Sequence, residues 1–355
     1  MLNGGAGGEP VDAPPATPAA HGGPAGTALL RVEAADFRVD EIMTVVPDGE
    51  GEHLWVEIEK TNWNTEDVAL WLAKQAGVHR LAVGYGGLKD RRAVTRQWFS
   101  LHLPGKPDPE FEAAEGLVIH RALRHRRKLN RGTHRGNAFQ LRLRQVEADR
   151  ERLESILLAV AGQGVPNYFG EQRFGRDGAN WTRGRAWLLG GEAPRKRTLR
   201  NFWLSAVRSG LFNAVLAERV REGVWDRLLD GDLLRPDGSR GLFSADDDAN
   251  AAARVAAGEV HPTAPLPGRA GMASSAACER LEQRVLGPHG PLIAALGELG
   301  LEAERRATRL PVTGLEWHWA GDTLELALSL PTGAFATSVL AELLATRVPA
   351  AADRG

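Results

Sequence analysis

Gly87-Leu88-Lys89-Asp90-Arg91-Arg92-Ala93-Val94-Thr95-Arg96-Gln97-Trp98 is the stretch from which the rest of the chain becomes readable. It places one aspartate in a turn, flanked by a lysine and two arginines, between strand-like runs near 80–85 and 97–103. A turn carboxylate paired with its basic neighbours is the structural reading. A catalytic carboxylate held by a cation is the functional one. Upstream, residues 64–76 read as a helix. Asn64 or Thr65 suits its cap, Glu66 and Asp67 its first turn, and Gly77 its C-terminal stop, with Val68, Trp71, Leu72 and Ala76 on one face.

Further along, Phe139, Leu141 and Leu143 alternate with Gln140, Arg142 and Arg144, so 138–146 is expected to be a strand. Helical spacing follows over 149–160, through Leu153, Ile156, Leu157 and Val160. A second region begins near Gly164, helical from 200 to 229 and loop-rich from 230 to 275. Strands return after about 310. Leu315, Trp317 and Trp319 alternate, Gly321-Asp322 suits a two-residue hairpin turn, and Leu324, Leu326, Leu328 and Leu330 alternate again. A Pro331-Thr332-Gly333 turn then precedes a short helix near 336–346. Residues 1–28, dominated by Gly, Ala and Pro, are expected to form a disordered tail. This switch and return fits a mixed α/β sheet interrupted by an inserted domain.

The chain has 355 residues, with 44 Lys+Arg against 45 Asp+Glu, so net charge gives no hint of a nucleic-acid partner. Distribution does. Residues 116–146 hold Arg121, Arg124, Arg126, Arg127, Lys128, Arg131, Arg135, Arg142 and Arg144 and no acid. That asymmetry suits a phosphate-binding surface or a solvated loop between two strands. Arg173, Arg176, Arg183 and Arg185 are interleaved with Tyr168, Phe169, Phe174 and Trp181, which suits either unstacked RNA bases or simple core packing. A single cysteine, Cys278, excludes an internal disulfide and a cysteine metal cage. Lys89 stands where a dinucleotide loop at Gly84-Tyr85-Gly86-Gly87 needs glycine, and Gly105-Lys106 lacks the rest of a P-loop. No zinc-protease or Gly-x-Ser-x-Gly motif occurs. A cytoplasmic protein with no membrane span is expected.

The run around Asp90 resembles the signature of the TruD family of tRNA pseudouridine synthases. So do Glu33–Val39, Pro47–His53, Gly136–Phe139, Val165–Gly175, Phe202–Ser209 and Gly333–Val339, in family order over about 29–345. The resemblance implies a permuted pseudouridine-synthase α+β core at 29–163 and 310–355, with a TruD-specific α/β domain inserted at 164–309. It implies an isomerase converting uridine-13 in the D arm of tRNA to pseudouridine. Asp90 falls on the family's catalytic position, and Phe37, Asn137 and Phe335 on its uridine site. Tail residues have no counterpart, and 230–275 match poorly.

The chemistry is consistent with these residues. The reaction breaks N1–C1′, turns the uracil and rejoins it through C5, with no redox step and no group donor, so no cofactor is expected. An ionised Asp90 can attack C1′ or remove the C2′ proton. Lys89, Arg91 and Arg31 are candidates to hold it, with Arg31 preferred. The target base must be flipped out, at a cost of a few kcal/mol, and stacking returns about 1–3 kcal/mol. Asn137 and Phe139 project from one strand face, so the amide can read the uracil edge while the ring lines the pocket or packs in the core. The expected partner is tRNA and the expected state a monomer. The alternatives are a catalytically silent tRNA-binding or folding factor and a pseudouridine synthase for another RNA.

Overall fold

A computed structural model describes residues 13–271 and 273–349. The described residues divide into two compact units: 24–161 with 312–336 and 343–349, and 162–311 with 13–23 and 337–342.

The first unit is built on a ten-stranded mixed sheet. Its strands are β1 (Gly26–Leu30), β2 (Phe37–Met43), β3 (His53–Thr61), β4 (Val83–Tyr85), β5 (Val94–His102), β6 (Leu117–His125) and β7 (His134–Ala148), then β8 (Thr313–Ala320), β9 (Thr323–Pro331) and β10 (Ala345–Arg347). The main order is β8-β9-β7-β2-β5-β3-β6, with β1 on β7 and β10, and β4 on β5. β2–β5 and β1–β10 run parallel, and the other pairs antiparallel. Helix α1 (Thr65–Gln75) packs Val68, Ala69 and Leu72 against Leu54, Val56 and Ile58 of β3 and Phe99 and Leu101 of β5, all fully buried. Helix α2 (Arg150–Gln163) meets the hairpin strand β8 through Glu154, which accepts from the indole N–H groups of Trp317 and Trp319 at 2.7 and 2.8 Å.

Several expected elements sit where the residue pattern put them. Gly77 and Gly321 adopt positive φ (59° and 66°), the conformation glycine reaches without steric penalty. Ala320 pairs with Thr323 across the Gly321-Asp322 turn, and Leu324, Leu326, Leu328 and Leu330 all face inward. Strand β7 is longer than expected. Its polar ends continue because they pair with β2 and β9 up to Gly136, and with β1 down to Ala148.

The second unit has a four-stranded antiparallel sheet formed by 243–244, 233–236, 260–266 and 304–307. Helices α3 (Ala179–Leu188) and α4 (Arg197–Arg221) pack nearby, α4 burying Val207, Leu211, Phe212, Val215 and Leu216. The stretch 230–275 therefore holds three strands and a helix (Ala251–Ala257) where a loop was expected. Pro236, Pro262 and Pro265 lie within its strands, which is why composition reads as loop. Two buried arginines here are matched with carboxylates, while the buried Arg309 donates to His261 Nδ1 and the Val255 carbonyl. Arg219 makes two 2.8 Å bonds to Asp232, both side chains fully enclosed, and Arg305 pairs with Glu282. The first and last segments of the 162–311 stretch pair with each other, Val165 with Leu310 and Pro166 with Arg309.

The tail expectation needs correction over its second half. Residues 1–12 lie outside the described residues, but from Ala13 onward the chain is placed, and β1 starts at Gly26. Glu342 accepts the backbone N–H groups of Ala20 and His21 at 3.0 and 3.1 Å, and the Tyr168 hydroxyl donates to the Pro18 carbonyl. The segment is held by these main-chain bonds, by Ala20 packed against the core of the second unit, and by the His21 ring set edge-on to Trp225.

Candidate active site

The Asp90 loop connects β4 to β5 and is pinned at four points. Gly87 carbonyl accepts from Gln97 Nε2 at 3.2 Å. Lys89 N–H donates to Thr65 Oγ1 at 2.9 Å, and that hydroxyl donates to Gln97 Oε1. Lys89 Nζ pairs with Glu41 at 2.9 Å, both side chains being almost entirely enclosed. Lys60 Nζ donates to the carbonyl of Asp90 itself at 2.7 Å, and to that of Trp63 at 2.7 Å. Beneath the loop, Gly86 and Gly87 lie against the His134 ring. A Cβ on Gly86 would stand 3.0 Å from His134 Nδ1. Burial lowers the His134 pKa, against the opposing pull of Glu41 and with the repulsion of Lys89.

Fixing the main chain leaves the Asp90 side chain free to face outward, and it is half-exposed (47%). Its carboxylate pairs with the Arg31 guanidinium. Of the three candidate cations, Arg31 is thus the partner. Lys89 turns to Glu41, and Arg91 Nε donates to the Asn62 carbonyl at 3.2 Å. Arg31 stands at the end of β1 with φ of 59°, a left-handed conformation that is uncommon for a residue with a side chain. Such backbone costs on the order of 1–3 kcal/mol and is retained where the surroundings over-determine it.

The aromatic residues follow from sheet register. Val39 of β2 faces Phe139 of β7, and Phe37 faces Leu141. Phe37 and Phe139 meet edge to face with centroids 6.2 Å apart. Arg31 lies over the Phe37 ring at 4.0 Å, so one guanidinium joins the ring to the carboxylate. Both rings are buried, at 4% and 6% exposure, which makes them a packed wall instead of bare stacking platforms. Asn137 follows two residues before Phe139 on the same strand face, opposite Glu41 on β2 and Leu330 on β9. It is buried, and its Oδ1 has no donor among the described residues, nor has the enclosed Arg31 Nε an acceptor. Phe335 differs. It is 46% exposed. Its turn is attached to the start of β7 by Thr332, whose hydroxyl donates to the His134 carbonyl and whose N–H donates to that of Arg135.

Lys60 was not foreseen. It is completely buried, and burial brings its pKa from 10.5 down to about 8, with Asp90 opposing the fall and Lys89 adding to it. The available signal was its place in the alternation Leu54, Val56, Ile58, Lys60, where a charge falls on the core-facing side of β3.

Apart from Lys128, whose Nζ donates to the Leu81 carbonyl, the basic run of 116–146 resolves into two sets. Arg121 pairs with Glu57, Arg124 with Asp108, Arg126 with Glu50, Arg142 with Glu325 and Arg144 with Asp36. Those carboxylates lie outside the run itself, so the local excess of charge overstates the surface charge. Arg127, Arg131 and Arg135 are exposed and have no carboxylate partner among the described residues. They lie in or beside the β6–β7 connection, which is tied to the Asp90 loop where Gly132 N–H donates to the Gly86 carbonyl at 2.9 Å. In the second unit, Phe174 and Trp181 are core residues, at 4% and 2% exposure.

Comparison with known proteins agrees with the resemblance. The family model described as tRNA pseudouridine synthase D (TruD) matches residues 20–190 and 194–343. A tRNA pseudouridine synthase D of Ectopseudomonas mendocina is 49% identical over 330 residues, covering 92% of this chain and 94% of its own. One from Azotobacter vinelandii is 50% identical over the same length, again covering 92% and 94%. The crystal structure of a putative tRNA pseudouridine synthase D from Methanosarcina mazei superimposes with a TM-score of 0.75 at 22% identity, covering 90% of this chain and 94% of that one, and so shares the fold. With the matched segments spanning both units, this chain belongs to the TruD family of tRNA pseudouridine synthases.

Proposed function

We propose that this chain isomerises uridine-13 in the D arm of tRNA to pseudouridine, with Asp90 as the catalytic carboxylate. The observation that carries the reading is a half-exposed carboxylate locked to Arg31, on a loop whose main chain Lys60 fixes from below. A rigid, outward-facing carboxylate suits attack at C1′ or removal of the C2′ proton, since either step needs the reacting atoms held close and aligned. Once N1–C1′ has broken, the uracil turns, C5 bonds to C1′, and the C5 proton passes to solvent. Asn137 Oδ1 offers an acceptor for the uracil N3–H, and Phe37 and Phe139 form the apolar wall beside it. Phe335, on an exposed turn, is available to stack on an extruded base. Arg127, Arg131 and Arg135 supply uncompensated positive charge beside the loop for the RNA backbone.

The relatives' names support tRNA as the substrate. No helix among the described residues is long and apolar enough to cross a membrane, and we place the reaction in the cytoplasm, carried out by a monomer without a cofactor. The test is tritium release from tRNA carrying 5-tritiated uridine, with pseudouridine mapping at position 13. Asp90→Asn is expected to release none while tRNA binding persists. Turnover retained by that variant, or pseudouridine formed only at another position, overturns the reading.

A further inference from the structure

The second unit carries an open cavity of about 310 Å³ whose lining includes Phe169, Arg173, Ser205, Arg208, Ser209 and Glu304. Ser205, Arg208 and Ser209 stand at i, i+3 and i+4 on α4 and so share a face. Arg173 arrives from the turn Glu171–Phe174, its Nη1 donating to Ser205 Oγ at 3.1 Å. Arg208 Nη2 donates to the carbonyls of Leu266 and Glu302, at 3.1 and 2.9 Å, while its Nε is buried with no acceptor. Outside the lining, Arg306 lies 4.3 Å over the Phe169 ring, and its fork binds the carbonyl and Oδ1 of Asn167.

None of Arg173, Arg208 and Arg306 has a carboxylate partner among the described residues. In the same unit, Arg219 and Arg305 each have one, while Arg235 and Arg309 rest on neutral acceptors. Partial burial of unpaired guanidinium groups carries a desolvation cost that neutral acceptors offset only in part. Its mark is visible in all three. Surrounding protein lowers the pKa of Arg173 by desolvation although part of its side chain reaches solvent, burial lowers that of Arg208, and burial brings that of Arg306 to about 10 with repulsion from Arg173 and Arg235. Glu304, exposed at the rim, is the one carboxylate of the lining, and against Arg173 and Arg208 it leaves the lining net positive.

We infer that this pocket binds a phosphodiester group of the RNA substrate. Guanidinium forks match paired phosphate oxygens, and Ser205 and Ser209 add hydroxyl donors. Arg173, Asn201 and Glu304 lie exposed around an open mouth, which leaves room for the two ester links of a chain. The inference rests on the RNA-modifying reading above and adds an anchoring point on the inserted unit.

The experiment measures binding of an unmodified tRNA transcript to the full chain in the Asp90→Asn background, so that the outcome does not depend on turnover. Arg173→Gln and Arg173→Lys are compared across salt from about 50 to 200 mM. One lost phosphate contact weakens binding about tenfold and lowers the slope of log K against log salt by about 0.7–0.9. Lysine keeps the charge and loses the fork, so both variants bind more weakly if the pocket is built as described. Loss in the glutamine variant alone points to diffuse attraction and overturns the site. Inorganic phosphate is the second probe, expected to raise the Tm of the unsubstituted chain and not that of Arg173→Gln. A phosphate-dependent Tm with unchanged tRNA binding assigns the pocket to a free oxyanion and overturns the RNA assignment. No effect in either assay overturns the pocket altogether.

Discussion

Lys60 makes a pH-dependent contribution whose sign and size follow from its surroundings. The amine is fully buried, and its two acceptors are main-chain carbonyls, of Trp63 and Asp90. A neutral amine has two N–H donors, enough for both, whereas the third donor of the ammonium form has no partner among the described residues. The folded-state pKa lies near 8 against an ordinary 10.5, a gap that corresponds to roughly 3 kcal/mol. Below pH 8 both the folded and unfolded amine carry the proton, and folding bears the desolvation cost. Between 8 and 10.5 the unfolded chain binds more protons than the folded one, so stability rises with pH through this window. Urea unfolding of the unsubstituted chain and of Lys60→Met, from about pH 7 to about pH 10, isolates the effect, because other titrating groups cancel in the difference. The stability of the lysine form relative to Met is expected to grow by about 2–3 kcal/mol over that range. A flat difference, or one that shrinks as pH rises, refutes the assignment of a desolvated amine. Because Lys60 holds the Asp90 carbonyl, turnover by Lys60→Met is also expected to fall, by about 10- to 100-fold.

Two further outcomes follow from local geometry. Arg31→Met removes the cation that aims Asp90, and single-turnover pseudouridine formation is expected to slow by about 10²-fold with little change in tRNA affinity, as measured by quench-flow and filter binding. Gly210→Ala on α4 places a Cβ 2.1 Å from the Trp181 ring, so the helix-propensity gain of about 1 kcal/mol is outweighed and the Tm falls, an overpacking cost of about 1–3 kcal/mol read by calorimetry.

The sequence made local features legible and left distant partnerships hidden. Asp90 could be picked out because its motif is contiguous, and the β8–β9 hairpin because alternation and a two-residue turn are short-range signals. Lys60 could not, since one of its acceptors lies 30 residues away and is a backbone carbonyl, an atom every residue carries. The basic run of 116–146 misled in part for the same reason. Glu57, Asp108 and Glu325, which neutralise Arg121, Arg124 and Arg142, reach them only through folding. Composition failed at Ala20 and His21, where glycine- and proline-rich chain is ordered through its amides, which composition does not register. Phe37 was expected in the uridine site and Phe139 on the pocket wall or in the core, and only the folded arrangement shows that the two rings lean on each other, with Arg31 over Phe37.

The short ladder joining Val165–Pro166 to Arg309–Leu310 makes the intervening 142-residue excursion (167–308) leave and rejoin at one spot. A loop closed at its own neck can change its contents without altering the distance its flanks must span. Remodelling of this stretch therefore leaves the spacing of its two flanks unchanged, and asks for matching changes only in the segments that pack with it, 13–23 and 337–342.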